Sequence, residues 1–267
     1  MSERTSYAPG TPCWVELSGT PDVEASESFY RELFGWEMPE QPNSAELGGY
    51  RRAKKDGKDV AGVSPRMEDG QPTAWATYVS VADAAATAAK VAAAGGGQIA
   101  EPMDVVGLGT MAVFTDPAGA VFGVWQPGTF VGSELVNETG CFGWNELGTR
   151  DTAGAKEFYG SVFGWGHEDE ASDRVGTYTV WKVGDAMVGG MLDIEAAGVP
   201  AEVPPHWLVY FTVEDTDAAV EKAKAGGGDV RMDPIDIPVG RFAVLGDPHG
   251  AVFAVLQPSE ETLANMP

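Results

Sequence analysis

W-N-E-L-G-T-R-D-T-A-G-A-K-E-F-Y-G-S-V-F-G-W, from Trp144 to Trp165, has an earlier copy, W-V-E-L-S-G-T-P-D-V-E-A-S-E-S-F-Y-R-E-L-F-G-W, from Trp14 to Trp36, one residue longer. In each copy a short alternating run leads to an Asp, then to a helix-like segment ending in Phe-Tyr, then to a Phe-Gly-Trp that reverses direction. The pattern predicts strand, capped helix, turn and next strand. Other landmarks recur in the same order: Tyr50 and Tyr178, Trp75 and Trp207, Tyr78 and Tyr210, the glycine runs starting at Gly95 and Gly226, and the D-P-x-G turns opened by Asp116 and Asp247. So many coincidences in one order mark a tandem duplication with a period too long for a solenoid. The chain therefore divides into a first domain, 1–129, and a second, 130–267, with Pro127–Thr139 as linker.

Within the first domain, Cys13 to Ser18 predicts a strand and Asp22 a cap for a helix over 23–34, with Phe29, Leu33 and Phe34 as its core stripe. Short strands follow around Trp36, over Gly49 to Lys54 and over Asp59 to Val63. A second round then begins. Trp75 to Val81 alternates as a strand, and Asp83 caps an Ala-rich helix that stops at Gly95-Gly96-Gly97. Strands near Gln98 to Ala100, Thr110 to Phe114 and Val121 to Trp125 complete it, the last two joined by Asp116-Pro117-Ala118-Gly119. Residues 1–11 read as a flexible lead, and the residues after Pro258 as a short acidic tail.

With 267 residues, 43% of them hydrophobic, the chain can bury two cores of ordinary size. Its 17 Lys+Arg against 40 Asp+Glu give a net charge of −23, which disfavours nucleic acid and anionic membranes as partners. No apolar run approaches the roughly 20 residues of a membrane span, and M-S-E-R-T-S-Y-A-P-G lacks the apolar core of a signal peptide, so a cytoplasmic protein is expected. The 2 cysteines, Cys13 and Cys141, precede the two first strands at matching points and read as buried free thiols.

The internal order, with F-Y-x-x-x-F-G-W and D-P-x-G-A-V-F, closely resembles the vicinal oxygen chelate superfamily, which includes glyoxalase I, extradiol dioxygenases, and the fosfomycin and bleomycin resistance proteins. The tandem form resembles the glyoxalase/bleomycin-resistance-like proteins common in actinobacteria. The resemblance implies an α+β fold of two tandem domains, each a pair of βαβββ modules curling a sheet around a cleft. In metal-bearing members, two His and a late Glu hold a divalent ion that leaves open positions for two vicinal substrate oxygens. Carried onto this chain, the first His falls on Trp14 and Trp144, the second on Ala76 and Leu208, and the Glu on Gly123 and Ala254. None of these can bind a metal, so no metal or other cofactor is expected.

Alternation along the strands then places Glu16 and Glu146 beside the tryptophans, Tyr78 and Tyr210 beside Ala76 and Leu208, and Trp125 and Leu256 beside Gly123 and Ala254. His206 shares a face with Leu208. His167 falls in the loop after Phe163-Gly164-Trp165, and His249 in the second D-P-x-G turn, where exposure is the default. An aromatic lining with one carboxylate suits a flat, apolar ligand with a few polar handles. Arg241, which replaces Thr110 of the first copy, is expected to neutralise Glu146 or to meet an acidic ligand group. Arg51 and Arg52 are further candidates to satisfy the two glutamates.

Besides a purely structural or interaction role, which gains if the clefts prove filled, two functions follow. One is a metal-free binding protein for an aromatic or polyketide-like small molecule, in sequestration, antibiotic resistance or biosynthesis, the mode the bleomycin resistance branch implies. The other is an enzyme, a glyoxalase I-type lyase or a metal-free isomerase or hydroxylase with Glu16 or Glu146 as general base, since a carboxyl among aromatic rings has a raised pKa. Either a monomer with pseudo-dimeric domains or a homodimer fits the duplication.

Overall fold

The computed structural model describes residues 3–39 and 47–265. The first half runs β1 (Pro12–Thr20), α1 (Val23–Phe34), β2 (Arg51–Lys55), β3 (Lys58–Pro65), β4 (Ala74–Ser80), α2 (Ala84–Ala93), β5 (Gly97–Asp104), β6 (Gly109–Thr115) and β7 (Val121–Pro127). The second half runs β8 (Phe142–Thr149), α3 (Thr152–Phe163), β9 (Gly166–Ser172), β10 (Gly176–Val183), β11 (Ala186–Asp193), β12 (His206–Thr212), α4 (Thr216–Ala225), β13 (Asp229–Ile237), β14 (Gly240–Gly246), β15 (Val252–Pro258) and α5 (Glu260–Asn265). Each half folds into one curved mixed sheet, in the orders β2-β3-β1-β4-β7-β6-β5 and β13-β14-β15-β12-β8-β11-β10-β9.

The four long helices start at Asp22, Asp83, Asp151 and Asp215, whose carboxylates each accept a backbone N–H three residues on. A free first-turn N–H is satisfied in each case, and negative charge meets the positive end of the helix dipole. Helices α1 and α3 end on Gly35 and Gly164, both at positive φ near 70°, as the Phe-Gly-Trp reversals require.

The strand expected around Trp36 is only a bridge between Glu37 and Lys54. Its counterpart in the second half is the full strand β9, which carries His167 out of the expected loop and sets its ring 6.2 Å from that of Trp181. The expected acidic tail forms α5, and the expected flexible lead is tied down. Glu3 bridges Leu135, the Tyr7 hydroxyl donates to the Ser133 carbonyl at 2.6 Å, and the Gly10 carbonyl accepts the Trp165 indole N–H at 2.7 Å.

The apolar faces of the two sheets are interleaved, so that the two largest cores are each shared between the halves. One core joins α1, Trp36, Val15 and Leu17 to Phe211, Phe253 and Val220 of the second half. The other joins Val91, Phe114 and Phe122 to Phe158, Tyr159, Trp165 and Trp181. The Phe-Tyr and D-P-x-G signatures form the seams. The Tyr30 hydroxyl donates to Asp247 at 2.9 Å and accepts the Trp75 N–H at 3.0 Å. Tyr159 likewise donates to Asp116 at 3.1 Å and accepts from Trp207 at 2.9 Å. Each aspartate also accepts backbone N–H groups of its own turn, so the charge is met on several sides. His249 is half-buried in this turn rather than exposed.

Candidate functional site

With the cores on the inner faces, the opposite face of each sheet is a cup. In the first sheet cross-strand partners run Trp14–Tyr78–Gly123–Val113 and Gly62–Glu16–Ala76. In the second they run Trp144–Tyr210–Ala254–Val244 and Gly190–Glu146–Leu208. Directly paired residues share a face, so Trp14, Glu16, Ala76, Tyr78, Gly123 and Trp125 line one cup. Trp144, Glu146, Leu208, Tyr210, Ala254 and Leu256 line the other. Val15 and Leu17, alternating with Trp14 and Glu16, belong to the core.

The glutamates are held by hydroxyls and not by the arginines expected. The Glu146 carboxylate accepts the Tyr178 and Tyr210 hydroxyls, each at 2.8 Å, and Tyr178 in turn accepts the Trp144 indole N–H at 2.9 Å. In the first cup Trp14 donates to the Tyr50 hydroxyl at 2.9 Å, and Ser64 donates to Glu16 at 3.0 Å. Burial pushes the Glu16 carboxyl up to about 7, with the Ser64 and Tyr50 hydrogen bonds pulling the other way. Burial also raises Glu146, against its two tyrosines. Those tyrosines are raised well above their ordinary value by burial and by the Glu146 charge, and so remain O–H donors.

Arg51 is instead paired with Glu27 and Glu24, and Arg52 with Asp59. Arg241 corrects a further expectation. On β14 it alternates with Phe242, which faces the cup, and so points to the helix side, where it forms a two-pronged pair with Asp217 and a third contact to Asp236. It neither neutralises Glu146 nor lines the cup. His206, at the cup's rim, bonds through Nδ1 to the Pro204 carbonyl at 2.9 Å. Cys13 and Cys141 are buried free thiols, the latter pushed up to about 12 by burial.

Three site residues were not anticipated: Tyr50, Tyr178 and Phe130. The two tyrosines recur at matching places, but only their side-chain contacts show that they reach over Gly62 and Gly190 to the glutamates. A Cβ on Gly190 would overlap the Tyr178 hydroxyl and come within 2.9 Å of the Trp144 indole nitrogen. Gly190→Ala is therefore expected to cost about 1–3 kcal/mol in denaturant unfolding, by displacing Tyr178 from Glu146.

The Glyoxalase/Bleomycin resistance protein/Dioxygenase superfamily pattern matches residues 17–124 and 142–255. The chain belongs to this superfamily. It is 44% identical over 266 residues to CFP32 of Mycobacterium tuberculosis, provisionally named a glyoxylase, covering 98% of this chain and 100% of that one. It is 42% identical to the anthracycline biosynthesis protein DnrV of Streptomyces peucetius, covering 95% of each. Among solved structures, the Mn(II)-bound glyoxalase of Novosphingobium aromaticivorans superposes with a TM-score of 0.63 at 19% identity, over 93% of this chain and 82% of that one. The 2,2',3-trihydroxybiphenyl 1,2-dioxygenase of Sphingomonas wittichii gives 0.62 at 15%, over 94% and 91%. These structural matches establish the vicinal oxygen chelate fold.

Metal binding is the natural question for such a fold, and the donors here do not fit it. Each cup offers one carboxyl, already engaged by hydroxyls, among indole, phenol, glycine and aliphatic groups. Among the described residues no cluster of three His, Cys, Asp or Glu side chains is placed to hold an ion. No helix is long and apolar enough to cross a membrane among the described residues.

Proposed function

We propose that this superfamily member binds a flat aromatic or polyketide-like metabolite without a metal, to sequester it or to serve its biosynthesis. The observation that carries the reading is the cup itself: an aromatic and aliphatic concave surface around one hydroxyl-bound carboxyl, lacking a metal ligand set. Apolar residues continue the first cup outward, with Met103 beside Met111 and Val121 in line with Gly123; Met103 is 53% exposed and Val121 41%. An aromatic and aliphatic lining with a few placed polar groups suits a rigid, planar ligand. The anthracycline biosynthesis role of DnrV points to the same ligand class.

The test is tryptophan quenching by anthraquinones and anthracycline aglycones, using protein stripped with chelator. Micromolar binding, unchanged when Mn, Ni, Zn or Fe is added, is expected. Binding seen only after a metal is supplied would overturn the reading.

A second reading rests on Glu16. A carboxyl raised to about 7 is suited to taking a proton from carbon near neutral pH. It predicts solvent deuterium uptake into a carbon acid, such as the hemithioacetal of methylglyoxal, that Glu16→Gln abolishes.

A further inference from the structure

Both cups hold an aromatic ring beneath a guanidinium, and the two rings come from different elements. In the second cup the ring is Phe242, which packs on Tyr210 with centroids 5.9 Å apart and lies under Arg174 at 5.9 Å. It is a strand residue, paired with Ile235 of β13 and Leu256 of β15, and 8% exposed. In the first cup Met111 takes that place in the sheet, beside Trp125, and the ring arrives from outside the sheet.

After β7 the chain folds back and lays Phe130 on the cup. The ring meets Trp14 edge-on with centroids 4.9 Å apart and Trp125 at 5.8 Å. The Arg52 guanidinium, already paired with Asp59, lies 5.3 Å from the ring centroid. With this ring upon it, Trp14 is only 4% exposed. At the matching place in the second copy stands Glu261, in α5.

The backbone on both sides of Phe130 is pinned. The Gly128 and Phe130 N–H groups each donate to the Leu108 carbonyl at 3.0 Å, the Phe130 carbonyl accepts the Trp125 indole N–H at 2.9 Å, and the Ser133 N–H donates to the Cys13 carbonyl at 2.8 Å. The Phe130 ring itself is half-buried and held by packing. Rotation about its Cα–Cβ bond uncovers the two indoles and the guanidinium while all of those backbone bonds stay made. Phe242, buried between two strands, has no comparable way out.

We infer that Phe130 is a gate on the first cup: its ring stands in for a ligand's ring, and an uncharged aromatic ligand swings it out and takes its place between Trp14, Trp125 and Arg52. Because Arg52 already has Asp59 as counter-ion, the site calls for the π face of a ring rather than for an anionic group. This rests on the binding reading above and adds to it which cup opens and what closes it.

Calorimetry on the full chain with an uncharged probe, 2-(hydroxymethyl)anthraquinone, tests it. In wild type the closed ring competes with the probe, so Phe130→Ala should bind it about tenfold tighter at unchanged stoichiometry. A fluorine label, 4-fluorophenylalanine placed at 130 in the otherwise unaltered chain, should shift its resonance as the probe is added, and the same label at 242 should not. A label at 130 that stays unmoved while the chain binds the probe, or a folded Phe130→Ala chain that binds no tighter than wild type, overturns the gate while the binding function stands. If neither wild type nor Phe130→Ala binds the probe, both fall.

Discussion

Trp36→Ala is expected to lower unfolding stability by about 3–5 kcal/mol, the range for emptying a large aromatic site in a closed core. Trp36 is fully buried, packs on Tyr30, Trp75 and Phe211, and donates its N–H to the Gly140 carbonyl at 2.6 Å. Phe211 and Gly140 come from the other half of the chain, so the loss is shared by both sheets. Trp36→Phe, which keeps a ring and gives up the hydrogen bond, should fall between wild type and alanine. Because the two largest cores take side chains from both sheets, chemical denaturation should remain a single transition in wild type and variants. A biphasic curve, or a loss under about 1 kcal/mol for Trp36→Ala, would show that the halves fold independently.

That interleaving was not legible in the sequence, although the residues that make it were. Phe29-Tyr30, Phe158-Tyr159 and the two D-P-x-G turns stand out as repeats, and repetition alone does not say which copy meets which. Tyr30 reaching Asp247 and Tyr159 reaching Asp116 is a long-range choice made by sheet packing. Local features were readable: the Asp22, Asp83 and Asp151 caps, the glycine turns, and the alternation that sets Trp14 with Glu16 on the cup face. The misreadings came where one residue of register decides a face. Arg241 follows the parity of Ala243, and so serves α4. Phe130 was hidden for another reason, because a segment rich in glycine and polar residues carries no periodicity from which its docking on Trp14 could be inferred.

Glu16→Gln is expected to change how stability depends on pH, by on the order of 2 kcal/mol after allowance for the residue's partial exposure. The folded carboxyl is raised from 4.5 to about 7 by burial. Between those values the native state holds a proton that the unfolded chain has released, so rising pH favours unfolding. The contribution of a neutral Glu16 is fully present below about pH 4.5 and is lost as pH climbs through about 7. Glutamine cannot ionise and escapes this loss. The stability difference, Glu16→Gln minus wild type, should therefore rise from pH 4.5 to pH 8 and then level off, whatever constant offset the amide adds at Ser64. Taking the difference removes the background slope due to self-repulsion in a chain of charge −23. Glu146→Gln should show the same sign, because burial raises that carboxyl too, but it leaves Tyr178 and Tyr210 facing an amide that accepts hydrogen bonds through only one of its two terminal atoms. A flat difference for Glu16→Gln would mean that water reaches the carboxyl freely, and with that the argument for a base poised near neutrality would lose its footing.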